Sequence, residues 1–190
     1  MILLLVVPSL FVLILVASYF SVRFSPQQKE KKELAEGIRL YETNQTESAY
    51  HYFDNLIKNG VKSGQTYLYR GLCNIRQENF NSALFDLTTA LSYDNSMVEV
   101  YVERGKIYYS MGEIDKAYRE FERAFFYSKG RNADILRYKG LTLMEKGQYF
   151  QAARYLTKAV ELGDEEANQV LMAPPFHNSF GFTKDSYNRY

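Results

Sequence analysis

Cys73, His51 and His177 are the residues whose types could carry nucleophilic, general-base or metal chemistry, and their placement assembles none of it. A single cysteine excludes an internal disulfide and any multi-cysteine zinc site. Two histidines far apart in the chain leave little for a metal centre, so no metal or cofactor is expected. Cys73 follows the apolar Leu72 inside a helical pattern, which reads as a structural thiol, since free cysteine is commonly buried. His51 stands between Tyr50 and Tyr52 on a helix, where a partly exposed histidine is ordinary. No glycine-rich loop follows a strand to cradle phosphate. Asn44-Gln45-Thr46 is a glycosylation triplet that counts only on a luminal side. With no convergent acid, base and nucleophile, the chain is expected not to be an enzyme and to have no small-molecule substrate.

Composition narrows the classes further. The chain has 190 residues, 23 basic and 22 acidic, for a net charge of +1. That balance gives nucleic acid no general pull, so no nucleic-acid partner is expected. Apolar residues make up 46%, enough for a packed core. Tyrosine (17) and phenylalanine (13) are abundant, and fit packing better than base stacking on so neutral a chain.

The elements that would position such residues begin with a stretch of different material. Ile2 to Phe20 carries no charge. As a helix it would cover roughly 28 Å, close to a bilayer's hydrocarbon thickness. A transmembrane helix is expected over residues 2–22, with Leu4, Leu10, Phe11, Leu13 and Phe20 facing lipid, followed by a linker over residues 23–29. Arg23, Lys29, Lys31 and Lys32 follow the apolar run and no basic side chain precedes it. The positive-inside rule then places the rest of the chain in a bacterial cytoplasm or a mitochondrial matrix. The rival is a cleaved signal peptide ending near Val16-Ala17-Ser18, which would make this a secreted or periplasmic protein.

The remainder repeats. Gly37, Gly71, Gly105 and Gly140 are spaced 34, 34 and 35 residues apart. Ala49, Ala83, Ala117 and Ala152 follow in step, as do Phe53, Leu87, Phe121 and Leu156, and then Leu56, Ala90, Ala124 and Ala159. Within one copy Tyr101, Gly105 and Tyr108 make one helical stripe, and Ala117, Phe121 and Ala124 a second. Small residues let two helices approach and large ones fill the space beside them. Ser110-Met111-Gly112-Glu113 and Lys146-Gly147-Gln148 break the helix between stripes, and the 35-residue step is one insertion near Gly130 and Arg131. Ser96 with Glu99 predicts a capping box, and Asp164 before Glu165 and Glu166 another helix start.

These positions resemble the tetratricopeptide repeat family, whose 34-residue unit pairs two antiparallel helices. The best copy is Tyr101, Arg104-Gly105, Tyr108, Ala117, Phe121, Ala124; the family's closing proline is replaced by Val61, Asn95, Lys129 and Asp164. The resemblance implies an all-α, right-handed solenoid of four helix-turn-helix repeats over residues 30–166 (30–63, 64–97, 98–131 and 133–166). A capping helix over 165–172 and an aromatic tail over 173–190 would follow.

The family usually binds protein segments on the face formed by the first helix of each pair. The resemblance places Leu34, Ile38, Tyr41, Leu68, Leu72, Arg76, Lys106, Tyr109, Arg137, Leu141 and Met144 on that groove, some of them as ordinary packing residues. A carboxylate clamp known in one subgroup would need donors at Leu34, Ile38, Tyr69, Glu99 and Glu103, or one copy on at Leu68, Leu72, Glu103, Asp134 and Tyr138, and neither set supplies them. The groove would therefore take an apolar helix or extended peptide. The tail, with Phe176, Phe180, Phe182, Tyr187 and Tyr190, is rich enough in rings to dock on a surface. The expected role is a non-enzymatic, membrane-anchored scaffold for protein partners that are themselves membrane-bound, with the bilayer a partner of the first helix. It would be an accessory or assembly subunit of a larger complex; a transient adaptor or targeting co-factor is the alternative.

Overall fold

The computed structural model describes residues 14–15 and 26–176, with side chains from Lys31 onward in the second stretch. The segment expected to cross the bilayer, including Leu4, Leu10, Phe11, Leu13 and Phe20, lies outside the described residues except for Ile14 and Leu15. So do Phe180, Phe182, Tyr187 and Tyr190 of the tail. Among the described residues no helix is long and apolar enough to cross a membrane.

From Pro26 onward the described residues form nine α-helices and no strand. They are α1 (Pro26–Glu42), α2 (Thr46–Lys58), α3 (Gly64–Arg76), α4 (Phe80–Tyr93), α5 (Val98–Ser110), α6 (Ile114–Tyr127), α7 (Ala133–Glu145), α8 (Tyr149–Glu161) and α9 (Glu165–Met172). The starts of α3, α5 and α7 coincide with the repeat boundaries read from the spacing. One boundary differs. α1 begins at Pro26, inside the stretch expected to be a linker. Proline is at home at a first helical position, and nothing between Gln27 and Glu36 breaks the helix.

Cα packing divides the described residues into two units that part between Asp86 and Leu87. In the first, α1, α2 and α3 close on Leu34, Ala49, Phe53 and Cys73, flanked by Ile38, Tyr41, Tyr52 and Tyr69. In the second, Leu136, Leu143, Ala152, Leu156, Ala159, Ala167, Leu171 and Phe176 form one core, and Tyr101, Val102, Ala124 and Ile135 another. Phe53 and Phe121 are fully buried. Each such ring contributes about 1.5–3 kcal/mol by leaving water.

The repeated glycines have a steric reason. A β-carbon on Gly37 would lie 2.6 Å from Phe53 Cζ, and one on Gly140 would lie 2.6 Å from Leu156 Cγ. The large residue sixteen positions on is thus packed against bare backbone.

Each pair turns through a three-residue hairpin: Thr43–Gln45, Gln77–Asn79, Met111–Glu113 and Lys146–Gln148. The middle residue is left-handed in every case, Asn44 at φ 60°, Glu78 at 60°, Gly112 at 73° and Gly147 at 72°. The next amide closes the turn on a carbonyl five residues back, as Glu113 N–H does on Tyr108 at 2.9 Å. The same closure explains two of the missing prolines. Val61 N–H donates to Leu56 O at 2.9 Å and Asp164 N–H to Ala159 O at 3.0 Å, and proline has no N–H to give. The extra residue of the long step is taken up where Lys129 (φ 55°) and Gly130 (φ 66°) are both left-handed.

Asp164 caps α9 as expected, its carboxylate accepting from Ala167 N–H at 2.9 Å. Ser96 does not cap α5. The residue before that helix is Met97, and Ser96 donates both its N–H (2.8 Å) and its hydroxyl (2.6 Å) to the Asp94 carboxylate. Asp94, two residues upstream, takes Ser96 into an Asx turn, and the hydroxyl so engaged does not cap the helix.

Candidate functional site

In the first unit the first helices α1 and α3 meet at Tyr41 and Arg76. The Arg76 guanidinium stands 3.5 Å from the centroid of the Tyr41 ring and donates to Tyr41 O at 2.6 Å. That carbonyl, at the end of α1, also accepts from Asn44 N–H at 3.1 Å, so the guanidinium supplies its second bond. Tyr69 packs edge-on to Tyr41 at 5.9 Å. Leu34, Leu68 and Leu72 are buried, and Ile38 is half-buried against the same core. Of the six groove residues expected here, Tyr41 and Arg76 are the ones whose polar or ring surface is presented between two helices.

In the second unit α5 and α7 meet through charge. Lys106 Nζ lies 3.2 Å from Glu103 and 3.4 Å from Asp134, with the Tyr138 ring 5.4 Å away. Burial pulls this ammonium down, but Glu103 and Asp134 outweigh it and hold it above its ordinary value. Tyr109 packs edge-on to Tyr138 at 6.2 Å, and burial, with Glu145 and Tyr138 nearby, pushes its hydroxyl up. Arg137 is gripped by Asp134, by Glu166 and, at 2.9 Å, by Asp164, which ties α7 to α9. Leu141 and Met144 are half-buried, Met144 against the core. The surface of this unit that the resemblance assigns to binding therefore combines rings and ion pairs with the half-buried Leu141 and Met144.

Sequence reasoning overlooked the charges inside the helix pairs. The residue before each repeat glycine is Glu36, Arg70, Arg104 or Lys139. Arg70 bonds the Asp86 carboxylate at 2.6 and 3.0 Å and Asp54 at 2.9 Å, and Asn74 adds a bond to Asp86 at 3.0 Å. One copy on, Arg104 reaches Glu120 at 3.3 Å. Both acids stand sixteen residues after their arginine, the offset that also sets the glycine partners. That register was the available signal. Lys139 is buried, pairs with Glu122, and sits 4.0 and 4.1 Å from the centroids of Phe125 and Tyr155.

The candidate reactive residues are placed as follows. Cys73 is fully buried, and burial pushes its thiol up to about 12, against the pull of Arg76. His51 is exposed, 2.9 Å from Glu47 one turn earlier. His177 is outside the described residues. Phe176 is buried in the core of the second unit with its ring edge-on to Tyr149 at 6.4 Å.

Second helices leave large apolar side chains in solvent. Phe85 is 68% exposed, Phe126 74% and Phe150 67%.

Comparisons with known proteins agree with this architecture. Residues 102–167 match the tetratricopeptide repeat family. No curated protein matches by sequence. Among solved structures, MamA is 22% identical, with 80% of this chain and 89% of that chain covered and a TM-score of 0.65. YrrB, described as a tetratricopeptide repeat protein with an unusual peptide-binding site, is 18% identical over 83% and 81% of the two chains, with a TM-score of 0.66. PilF of Pseudomonas aeruginosa is 16% identical over 74% and 65%, with a TM-score of 0.65. Its 34-residue helix pairs, with Gly37, Gly105 and Gly140 each packed against a large side chain, give the described chain the tetratricopeptide repeat fold, and residues 102–167 carry that family's sequence pattern.

Proposed function

We propose that this protein is a non-enzymatic scaffold, held at a membrane by residues 2–22, and an accessory or assembly subunit of a larger membrane complex. The observation that carries the reading is the exposure of Phe85, Phe126 and Phe150 on second helices, with Leu162 and Met172 also more than half exposed. Large apolar side chains left in water in such number favour a covering partner. Arg70, Arg104, Arg137 and Lys139, all buried or half-buried, are engaged in ion pairs within and between the helix pairs, which suits a structural use better than a catalytic one. Tetratricopeptide repeat proteins are typically non-catalytic and hold protein segments. The apolar run from Ile2 to Phe20 and the lysines after it favour an anchor with the repeats on the cytoplasmic or matrix side. Anchoring confines the search for membrane-bound partners to two dimensions.

A second reading rests on the first-helix faces. Tyr41 with Arg76 in one unit, and Lys106, Tyr109 and Tyr138 in the other, offer rings and paired charges suited to a transient peptide. An adaptor would use these. Because Leu34, Leu68 and Leu72 are buried, its ligand would meet ring faces more than leucines.

Native-size separation after mild detergent extraction, with mass spectrometry of what co-migrates, distinguishes the readings. Migration in one large particle at fixed stoichiometry is the expected result. Migration as a small species would favour the adaptor. A mature chain beginning near Ser18 or Tyr19 would establish signal cleavage and remove the anchor.

A further inference from the structure

Beyond the first-helix faces, the second unit carries a built cavity on its second helices. It measures about 300 Å³ and lies between α6 and α8. Phe125, Phe150 and Tyr155 form its walls, and Gln151, Arg154 and Lys158 complete the lining. Phe125 and Tyr155 are fixed edge-on at 6.0 Å. They are held there by Lys139, whose buried ammonium lies against both rings and is neutralised by Glu122. The walls are therefore pre-organised. Arg154 and Lys158 stand one turn apart on α8, are exposed, and have no acidic partner among the described residues. Among the described residues no acid lines the cavity. This contrasts with Lys106, Arg137 and Lys146 of the same unit, each of which has found a carboxylate.

We infer that this cavity is a second docking site, for an acidic segment of a protein partner that inserts one aromatic or long aliphatic side chain. The apolar walls take the side chain, and Arg154 and Lys158 take carboxylates on either side of it. Charge complementarity selects this occupant. Charge-assisted bonds to unpaired cations are the stronger kind, and a ring buried in a small walled pocket is the usual anchor of an interface. The chain's own residues 177–190 match it less well. They carry Lys184 and Arg189 against Asp185 alone, and would bring positive charge to a positive rim.

The test uses the full chain in maltoside micelles and a fluorescein-labelled peptide with two acidic residues on each side of one phenylalanine, followed by fluorescence polarisation. Saturable binding is expected. It should weaken at least tenfold in the double variant R154E/K158E and when the peptide's acids become lysines, and should weaken with added salt. Both substituted positions are exposed, so helical content should not change. A second variant, Phe150→Ala, keeps the charges and removes one wall, and should weaken binding severalfold. Equal affinity for the lysine peptide, or binding untouched by the charge reversal, overturns the inference. Binding that appears only after deletion of residues 177–190 overturns it in favour of the tail as occupant. If phosphatidylserine vesicles compete for the chain in an Arg154- and Lys158-dependent way while the peptide does not bind, the surface faces lipid instead. These readouts are independent of whether the chain co-migrates with a complex, so failure here leaves the scaffold reading standing.

Discussion

Gly105 presents bare backbone to the ring of Phe121: a β-carbon there would lie 2.6 Å from Cε1 and 2.8 Å from Cζ. Phe121 is fully buried, so its ring has nowhere to retreat. Alanine would gain about 1 kcal/mol of helix propensity over glycine. Overpacking of a filled core costs about 1–3 kcal/mol, and the contact is hard enough to place the cost at the upper end. Gly105→Ala should therefore destabilise the chain by about 1–2 kcal/mol in urea unfolding followed by circular dichroism. An unchanged or raised midpoint would show that α5 and α6 can shift apart at no cost.

The two arginine–acid pairs differ in quality, and their removal should differ accordingly. Asp86 is buried and takes two bonds from Arg70 and one from Asn74. Removing the cation strands a buried carboxylate, which typically costs about 3–5 kcal/mol. In the Arg104–Glu120 pair, Arg104 Nε and Glu120 Oε2 are buried without a hydrogen-bond partner. Arg70→Met should lower the urea midpoint clearly more than Arg104→Met. Equal losses would mean that the extra bonds of the first pair add nothing.

Glu120 gives a pH signature. Burial raises its carboxyl above the ordinary 4.5, and Arg104 only partly opposes this. Between that ordinary value and the raised one, the folded chain holds more proton than the unfolded chain. Stability from this group therefore falls as pH rises through that window and is recovered on acidification. Against Glu120→Gln, which does not titrate, the wild-type chain should gain relative stability between pH 7 and pH 5. Paired urea titrations at the two pH values measure it, and a relative loss would reverse the assignment.

Cys73 should be chemically silent. It is fully buried and its thiol is pushed up to about 12, so thiolate is scarce at neutral pH. A disulfide-exchange reagent such as DTNB should label it only with the slow kinetics of unfolding, and at once in denaturant. Fast labelling of the native chain would refute its place in the core.

The repeat lattice was legible because sterics write it into residue size: glycine, then alanine, then a large side chain, at offsets that a pair of helices forces. Asp164 was legible as a cap because its partner is three residues away. Ser96 was misread for the same local reason, since Asp94 lies closer still and took both of its donors. The first-helix faces were legible as positions but not as surfaces. Whether Lys106 is free or bound depends on Asp134, 28 residues on, and whether Leu72 faces outward depends on what packs beside it. Such pairings between helices leave no periodic mark. The cavity beside Arg154 and Lys158 was not seen at all, because its walls come from Phe125 and Tyr155, on two helices.

The hairpins inside the pairs always have three residues, whereas the joints between pairs run from Leu162–Asp164 to the longer Asn59–Ser63 and Ser128–Asn132. This makes the pair the quantum in which such a chain can grow or shrink over generations. Gain or loss of a whole pair preserves every left-handed closure and every glycine-to-ring contact. Gain or loss of a single helix would orphan a glycine from its ring and an arginine from its acid. Drift in length is thus channelled into the joints. The lone 35-residue step shows how a joint accommodates one residue more, with Lys129 and Gly130 both left-handed between α6 and α7.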